Sequence, residues 1–340
     1  MGLDRESENR LFRKFKSGKR NLITDVEGVC VGHVTLSDGD IQTGVTAILP
    51  HPGNVFREKL FAGVSVINGF GKSVGLLQVE ELGTLESPVL MTNTLSVGTA
   101  LTACVRYMLD QNPEIGIDTG TVNCVITECN DGEMNDIRGL HVKEEHVRSA
   151  IEAAGPDFDE GAVGAGTGME MMGLKGGIGS ASRILELGGR AYTLGVLALT
   201  NYGTDDNLLI GGDPVGRRIR AQRTKEDQGS CIIVIATDIP LIDRQLRRVA
   251  LRATHALART GSYSGNGSGD IALAFSTANR IEHFNEEAVK DFRMLYDEEL
   301  SPVFECAVEA VEEALLSSLF HAQSVRGVRG KELKSLREYL

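Results

Sequence analysis

Residues 231–237 read Cys-Ile-Ile-Val-Ile-Ala-Thr, a run without charge and mostly β-branched. It lacks the apolar–polar alternation of a half-exposed strand and reads as a strand covered on both faces. A chain holding such a strand must stack layers on both sides of a sheet. The other periodic segments supply those layers. Val26–Val34, Thr43–Leu49, Phe61–Ile67, Ser87–Thr92, Val122–Glu128, Tyr192–Asn201 and Ile271–Phe275 read as strands. Ser96–Leu109, Lys143–Ala154, Pro240–Arg259 and Asp297–Phe320 have helical spacing, with Pro240 opening the third and Gly261 closing it. Strands and helices alternate without a strict βαβ rhythm, so a layered α/β or α+β protein with a mixed sheet is expected. At 340 residues the chain exceeds the roughly 250–300 at which one core usually stops growing, which leaves one large layered domain or two ordinary ones. Residues 1–20 carry seven basic and three acidic side chains and read as a polar arm, docked as a short helix if at all. The last 18 residues read as a basic tail.

Charge and cysteine usage exclude several classes of function. The net charge of −12 repels phosphate backbones, which argues against nucleic acid as a partner. No apolar run reaches the ~18 residues a membrane span needs, and the first twenty have no apolar signal core, so a cytoplasmic protein is expected. The six cysteines show no CxxC spacing and mostly sit in apolar surroundings, as buried reduced thiols do. The seven histidines form no HExxH, so no metal is expected.

Two glycine-rich stretches imitate nucleotide motifs and fail. Gly69-Phe70-Gly71-Lys72-Ser73 ends like a P-loop, but Val66 stands where its first glycine belongs. Gly164-Ala165-Gly166-Thr167-Gly168 lacks the GxGxxG spacing and the acidic residue beyond it. Both read as tight turns or close backbone approaches.

The chemically informative point is where the polar stretch Lys225-Glu226-Asp227-Gln228 meets the buried strand, at Gly229–Ser230. Gly–Ser before a strand is ordinarily a turn. If that bond is broken, however, Ser230 becomes a chain terminus whose α-amine, with a reference pKa of about 8, can serve as base for its own hydroxyl. Gly229 tolerates the backbone conformation that attack on its carbonyl requires. Ser268 and Asp270 stand two apart before IALAF, so both point to one face if the entering strand includes them. The pair could orient an ammonium, or be a hairpin with a solvated carboxylate. Asn201, at the end of an apolar strand, could donate its amide to an oxyanion or simply make a turn. Glu128–Asp136 and Met91–Thr94 are polar clusters past strand ends, suited to Asx turns or to lining a site.

Taken together, NLITDVEGVCVGHVTL, NGFGKSVGL, DGEMNDIRGLHV, GAGTGMEMMGLKGGIGSASR, LTNYG, GGDPVG, GSCIIVIATDIPL and NGSGDIALAFSTAN resemble, in order, the P1 family of self-cleaving aminopeptidases. That family comprises the DmpA-type L-aminopeptidase/D-esterases and the β-peptidyl aminopeptidases, and the likeness runs from about Asn21 to Leu319. The resemblance implies a four-layer αββα sandwich of the DmpA/ornithine-acetyltransferase type, N-terminal-nucleophile-like, over residues 21–340. It implies self-cleavage between Gly229 and Ser230, giving an α chain (1–229) and a β chain (230–340). It makes Ser230 the nucleophile, with Ser268 beside its amine and Asp270 where the family has a carboxylate, usually Glu. It makes Asn201 the oxyanion donor and places Asn130 where the family has an oxyanion-facing Tyr. The implied activity is release of N-terminal residues from short peptides, amino-acid amides or esters through an acyl-enzyme, with no cofactor. A homo-oligomer is also implied, a tetramer or larger. The alternatives are an acyltransferase or amidase on the same fold, or a non-cleaving ligand-binding homologue.

Overall fold

A computed structural model describes residues 13–219, 229–285 and 287–339. In chain order the strands are β1 (Cys30–Asp38), β2 (Ile41–Leu49), β3 (Glu58–Gly69), β4 (Thr84–Leu85), β5 (Val89–Asn93), β6 (Val125–Cys129), β7 (Glu170–Met171), β8 (Leu174–Lys175), β9 (Gly177–Leu187), β10 (Arg190–Asn201), β11 (Ser230–Thr237), β12 (Gly269–Glu282), β13 (Val325–Arg326) and β14 (Glu332–Leu333). The helices are α1 (Leu76–Leu82), α2 (Val97–Gln111), α3 (Glu144–Glu152), α4 (Val215–Ile219), α5 (Asp243–Leu251), α6 (Ala253–Arg259) and α7 (Leu300–His321).

Two sheets stack face to face between helices, the expected αββα arrangement. One is four-stranded in the order β1-β2-β5-β6, and the other six-stranded in the order β4-β3-β12-β11-β10-β9. The side-chain period of a strand decides which layer each residue meets. Along β11, Ile232, Val234 and Ala236 join a core between the sheets with Val31, Ile48, Met91 and Val125. Ile233 and Ile235 face the other way, into a core with Leu246 and Val249 of α5 and Val303 and Val311 of α7. The third core lies outside the four-stranded sheet, where Ala47, Leu90 and Ile126 meet Ala100 and Cys104 of α2 and Val147 and Ile151 of α3. The run CIIVIAT is thus covered on both faces, as its composition demands.

Some segments depart from the sequence expectation, and one strand stands where none was expected. The third helix does not begin at Pro240 but at Asp243, and it breaks at Arg252 into α5 and α6. The glycine-rich stretch after Lys175 is a full strand, β9. Its Gly179 lets α7 approach closely, since a Cβ there would lie 2.0 Å from the Ala314 carbonyl oxygen. The C-terminal segment is not a free tail: β13 pairs β14, and Leu333 and Leu336 are fully buried. Of the N-terminal arm, residues 13–20 are described and are not helical; Lys16 makes a β-bridge with Ile184 at the edge of β9. The rest of the arm and the stretch Lys225–Gln228 lie outside the described residues.

Candidate active site

Strand register brings the polar residues to one end of the six-stranded sheet. Ser230 opens β11, facing Asn201 across the antiparallel β10 and Gly269 across the parallel β12. Ser230 shares the parity of Ile232 and Val234, so its side chain points between the sheets. A Cβ added to Gly269 would come within 3.3 Å of Ser230 Oγ, so glycine leaves the hydroxyl its room. β12 shifts register between Asp270 and Ile271, a bulge of the kind found beside active sites. Ahead of it, Ser268 Oγ donates to Asp270 Oδ1 at 2.7 Å, both residues fully buried.

The peptide bond before Ser230 is itself held. The Gly229 carbonyl accepts from the Gly269 N–H at 3.2 Å. Asn201 is fixed at both ends of its amide: Oδ1 accepts from the Glu170 N–H at 2.9 Å, and Nδ2 donates to the Asn130 carbonyl at 2.9 Å. One Nδ2 hydrogen remains. Asn130 brings its main chain to Asn201, while its exposed side chain accepts from the Gly132 N–H at 2.9 Å.

The four-stranded sheet closes the site from the other side. β6 ends in Glu128-Cys129 and runs straight into Asn130. Glu128 is buried, and its carboxylate accepts from the Lys72 N–H at 2.8 Å and from the Thr94 hydroxyl. A Cβ at Gly71 would lie 3.3 Å from Glu128 Oε1 and 3.9 Å from the Gly269 Cα, so this carboxylate and the residue paired with Ser230 flank the same glycine. The stretch that imitates a P-loop is the strap between them: Phe70 N donates to the Ser268 carbonyl, and Lys72 N to Glu128. Burial pushes the neighbouring Asp131 carboxyl up to about 7, opposed by hydrogen bonds from Thr43 and Asn135. Burial likewise pushes the Cys129 thiol well up, so it is unsuited to act as a thiolate nucleophile. Among the described residues no group of three or more His, Cys, Asp or Glu side chains could hold a metal ion, and no helix is long and apolar enough to cross a membrane.

The structure therefore gathers Gly229, Ser230, Asn201, Ser268 and Asp270, with the main chain of Asn130. Sequence reasoning named Glu128 only within a polar cluster. The available signal was a carboxylate near the end of a wholly buried strand, a position that requires a partner or a use.

Known proteins with this arrangement converge on one family. The profile of Peptidase family S58 matches residues 21–333. The β-peptidyl aminopeptidase BapA of Sphingosinicella microcystinivorans is 38% identical over 94% of this chain and 86% of its own. The PH0078 protein of Pyrococcus horikoshii superposes with a TM-score of 0.93 at 52% identity, over 97% of this chain and 95% of that one. The L-aminopeptidase D-Ala-esterase/amidase of Ochrobactrum anthropi, described as a prototype serine aminopeptidase with a variant Ntn hydrolase fold, superposes with a TM-score of 0.90 at 38% identity, covering 97% and 94%. The family read from the motifs is the one these relatives define. This chain belongs to peptidase family S58 and is an aminopeptidase-type hydrolase.

Proposed function

We propose that the chain cuts itself between Gly229 and Ser230, and then releases N-terminal residues from short peptides, amino-acid amides or esters through an ester on Ser230. The observation that carries this reading is the held scissile group. The Gly229 carbonyl rests on the Gly269 N–H, directly before a buried serine that opens a central strand. A backbone donor on a carbonyl stabilises the oxyanion formed when that carbonyl is attacked.

In self-cleavage Ser230 Oγ adds to the Gly229 carbonyl carbon. The C–N bond breaks, and the nitrogen takes up a proton and becomes the amine of Ser230. Water then hydrolyses the Gly229 ester. In turnover that amine accepts the proton of Ser230 Oγ as it attacks the substrate carbonyl, and returns a proton to the leaving amine. The free Nδ2 hydrogen of Asn201 holds the oxyanion. Ser268 and Asp270 orient the Ser230 ammonium. Glu128, reaching in from the other sheet, supplies the negative charge for the substrate's own ammonium, so a free N-terminus is required. Water releases the acyl group. The enzyme works as a cytoplasmic homo-oligomer on this reading, and exposed Leu77 and Leu82 of α1 offer apolar surface for a second copy.

The test is intact mass under denaturing conditions. Wild type is expected as fragments of 229 and 111 residues, and Ser230→Ala as a single 36.6 kDa chain. A folded wild type that stays whole overturns self-processing. An N-acetylated aminoacyl amide cleaved as fast as the free amine overturns the role of Glu128.

A further inference from the structure

Lys175 is a charged residue that the reaction above leaves unused. It lies in β8 of a two-residue ribbon in which Glu170 pairs Lys175 and Met171 pairs Leu174. Its side chain is completely buried. Its three ammonium hydrogens are matched by three carbonyls: Gly166 at 2.9 Å, Met169 at 2.7 Å and Gly176 at 2.7 Å. Its hydrogen-bond acceptors are neutral carbonyls rather than a carboxylate. Burying an ammonium in this way is costly, and a methionine would fill the same space without that cost. Burial accordingly pushes the lysine down to about 7, with Glu170 and Asp131 pulling the other way.

The carbonyl of Met169 belongs to the same peptide group as the N–H of Glu170, and that N–H is the one donated to Asn201 Oδ1. A continuous line of hydrogen bonds therefore runs from the Lys175 ammonium, across one peptide, to the side-chain amide at the site. Hydrogen bonds in such a line polarise one another in a low-dielectric interior. We propose that Lys175 is a positioning residue for the reaction: through the Met169–Glu170 peptide it locks and polarises the Asn201 amide. One Nδ2 hydrogen then stays on the Asn130 carbonyl, and the other is presented to the oxyanion at Ser230. The inference rests on the assignment of Asn201 as oxyanion donor. It also separates the two acyl transfers of Ser230. The Gly229 carbonyl is held by Gly269 in the uncut chain, so self-cleavage does not depend on this line.

The experiment is a double-mutant cycle on the matured enzyme, with an aminoacyl p-nitroanilide as substrate. Asn201→Ala is expected to lower kcat by about 10²–10³-fold, as loss of one oxyanion donor does. Lys175→Met is expected to lower kcat by about tenfold or more with KM within about threefold, while still cutting itself. In the Asn201→Ala background the same substitution is expected to cost less than about threefold, because its effect passes through the missing amide. Equal losses in both backgrounds would mean that Lys175 merely ties the ribbon together, and would overturn the proposal, as would an unchanged kcat. If Lys175→Met does not fold, Lys175→Gln, which keeps two N–H donors without the charge, completes the cycle. An Asn201→Ala enzyme with full kcat overturns the underlying assignment as well, and so is distinguishable from failure of the lysine alone.

Discussion

Gly229 has no room for a side chain, because a Cβ there would lie 1.8 Å from the Asn201 carbonyl oxygen and 2.6 Å from the Tyr202 Cα. Both neighbours are backbone and cannot rotate away. Gly229→Ala must therefore shift the scissile carbonyl off the Gly269 N–H, and self-cleavage is expected to slow by about tenfold or more, read as the uncut fraction in a mass time course. Glu128→Gln keeps the shape of its side chain but removes the charge. Its KM for substrates with a free amine is expected to rise about tenfold with a smaller change in kcat, because the lost interaction is present in ground and transition states alike. The residues with this leverage differ in how they announce themselves in a sequence. Ser230 stands out because a polar stretch ends and a charge-free strand begins at one bond. Ser268 and Asp270 stand out by their spacing of two. Lys175 does not, since a single lysine among glycines reads as solvated until three carbonyls are seen to surround it. Asn130 shows a further limit: its identity suggested a side-chain donor, whereas its carbonyl is what meets Asn201.

At the scale of elements, β9 and α7 are joined by charge as well as by apolar packing. Arg183 of β9 is buried and pairs with Glu309 and Glu313 of α7, successive on one helix face. The same carboxylates hold the start of the described chain, where the Lys14 N–H donates to Glu309 at 2.7 Å and Asn21 Nδ2 to Glu313 at 2.7 Å. Removing the cation takes away the buried partner the two carboxylates share and leaves them the N–H donors of Lys14 and Asn21 and, for Glu313, Arg13 at 3.2 Å. Arg183→Leu is expected to cost about 3–5 kcal/mol, measured as a lower urea midpoint at unchanged slope. Elements with strong periodicity were legible, and those shaped by close approach were not. The run at Cys231–Thr237 and the alternation through Tyr192–Asn201 mark strands unmistakably. β9 was hidden because its glycines, which suggest turns locally, serve the contact of Gly179 with the backbone of α7. The break between α5 and α6 lies in a stretch with no proline or glycine to signal it.

For the whole molecule, enclosed titratable groups shape the response to acid, and His33 contributes a loss. His33 of β1 is half-buried with Nδ1 2.9 Å from Thr46 Oγ1, and desolvation of its ring pushes it down to about 4. Burial also lowers His51. The unfolded chain takes up a proton near pH 6.5 that the folded His33 refuses until about 4, so the stability tied to this group is full above 6.5 and is lost as pH falls through that window, whereas the raised Asp131 works in the opposite direction. Denaturant titration is expected to show His33 contributing a loss of about 2 kcal/mol between pH 7 and pH 5, a loss removed in His33→Gln. The layered architecture was readable because a strand apolar on both faces permits few arrangements. The pairing of strands from distant parts of the chain was not, since register across β10, β11 and β12 depends on contacts no local pattern encodes. That pairing has a consequence for the cut. β11 and β12, from the later part of the chain, lie between β3 and β10 from the earlier part. If the chain is severed at residue 229 as proposed, the four-stranded sheet stays within the first piece, but neither piece owns the complete six-stranded sheet, and the two would stay interleaved without a bond. On that reading the link would be needed to find the structure and not to keep it. Cleaved protein unfolded in urea and diluted is therefore expected to recover far less of its native signal than uncut Ser230→Ala, because assembly of two chains replaces the closure of one loop. Maturation by the proposed cut would then be irreversible in a physical sense, leaving each molecule able to work but no longer able to repeat its own folding.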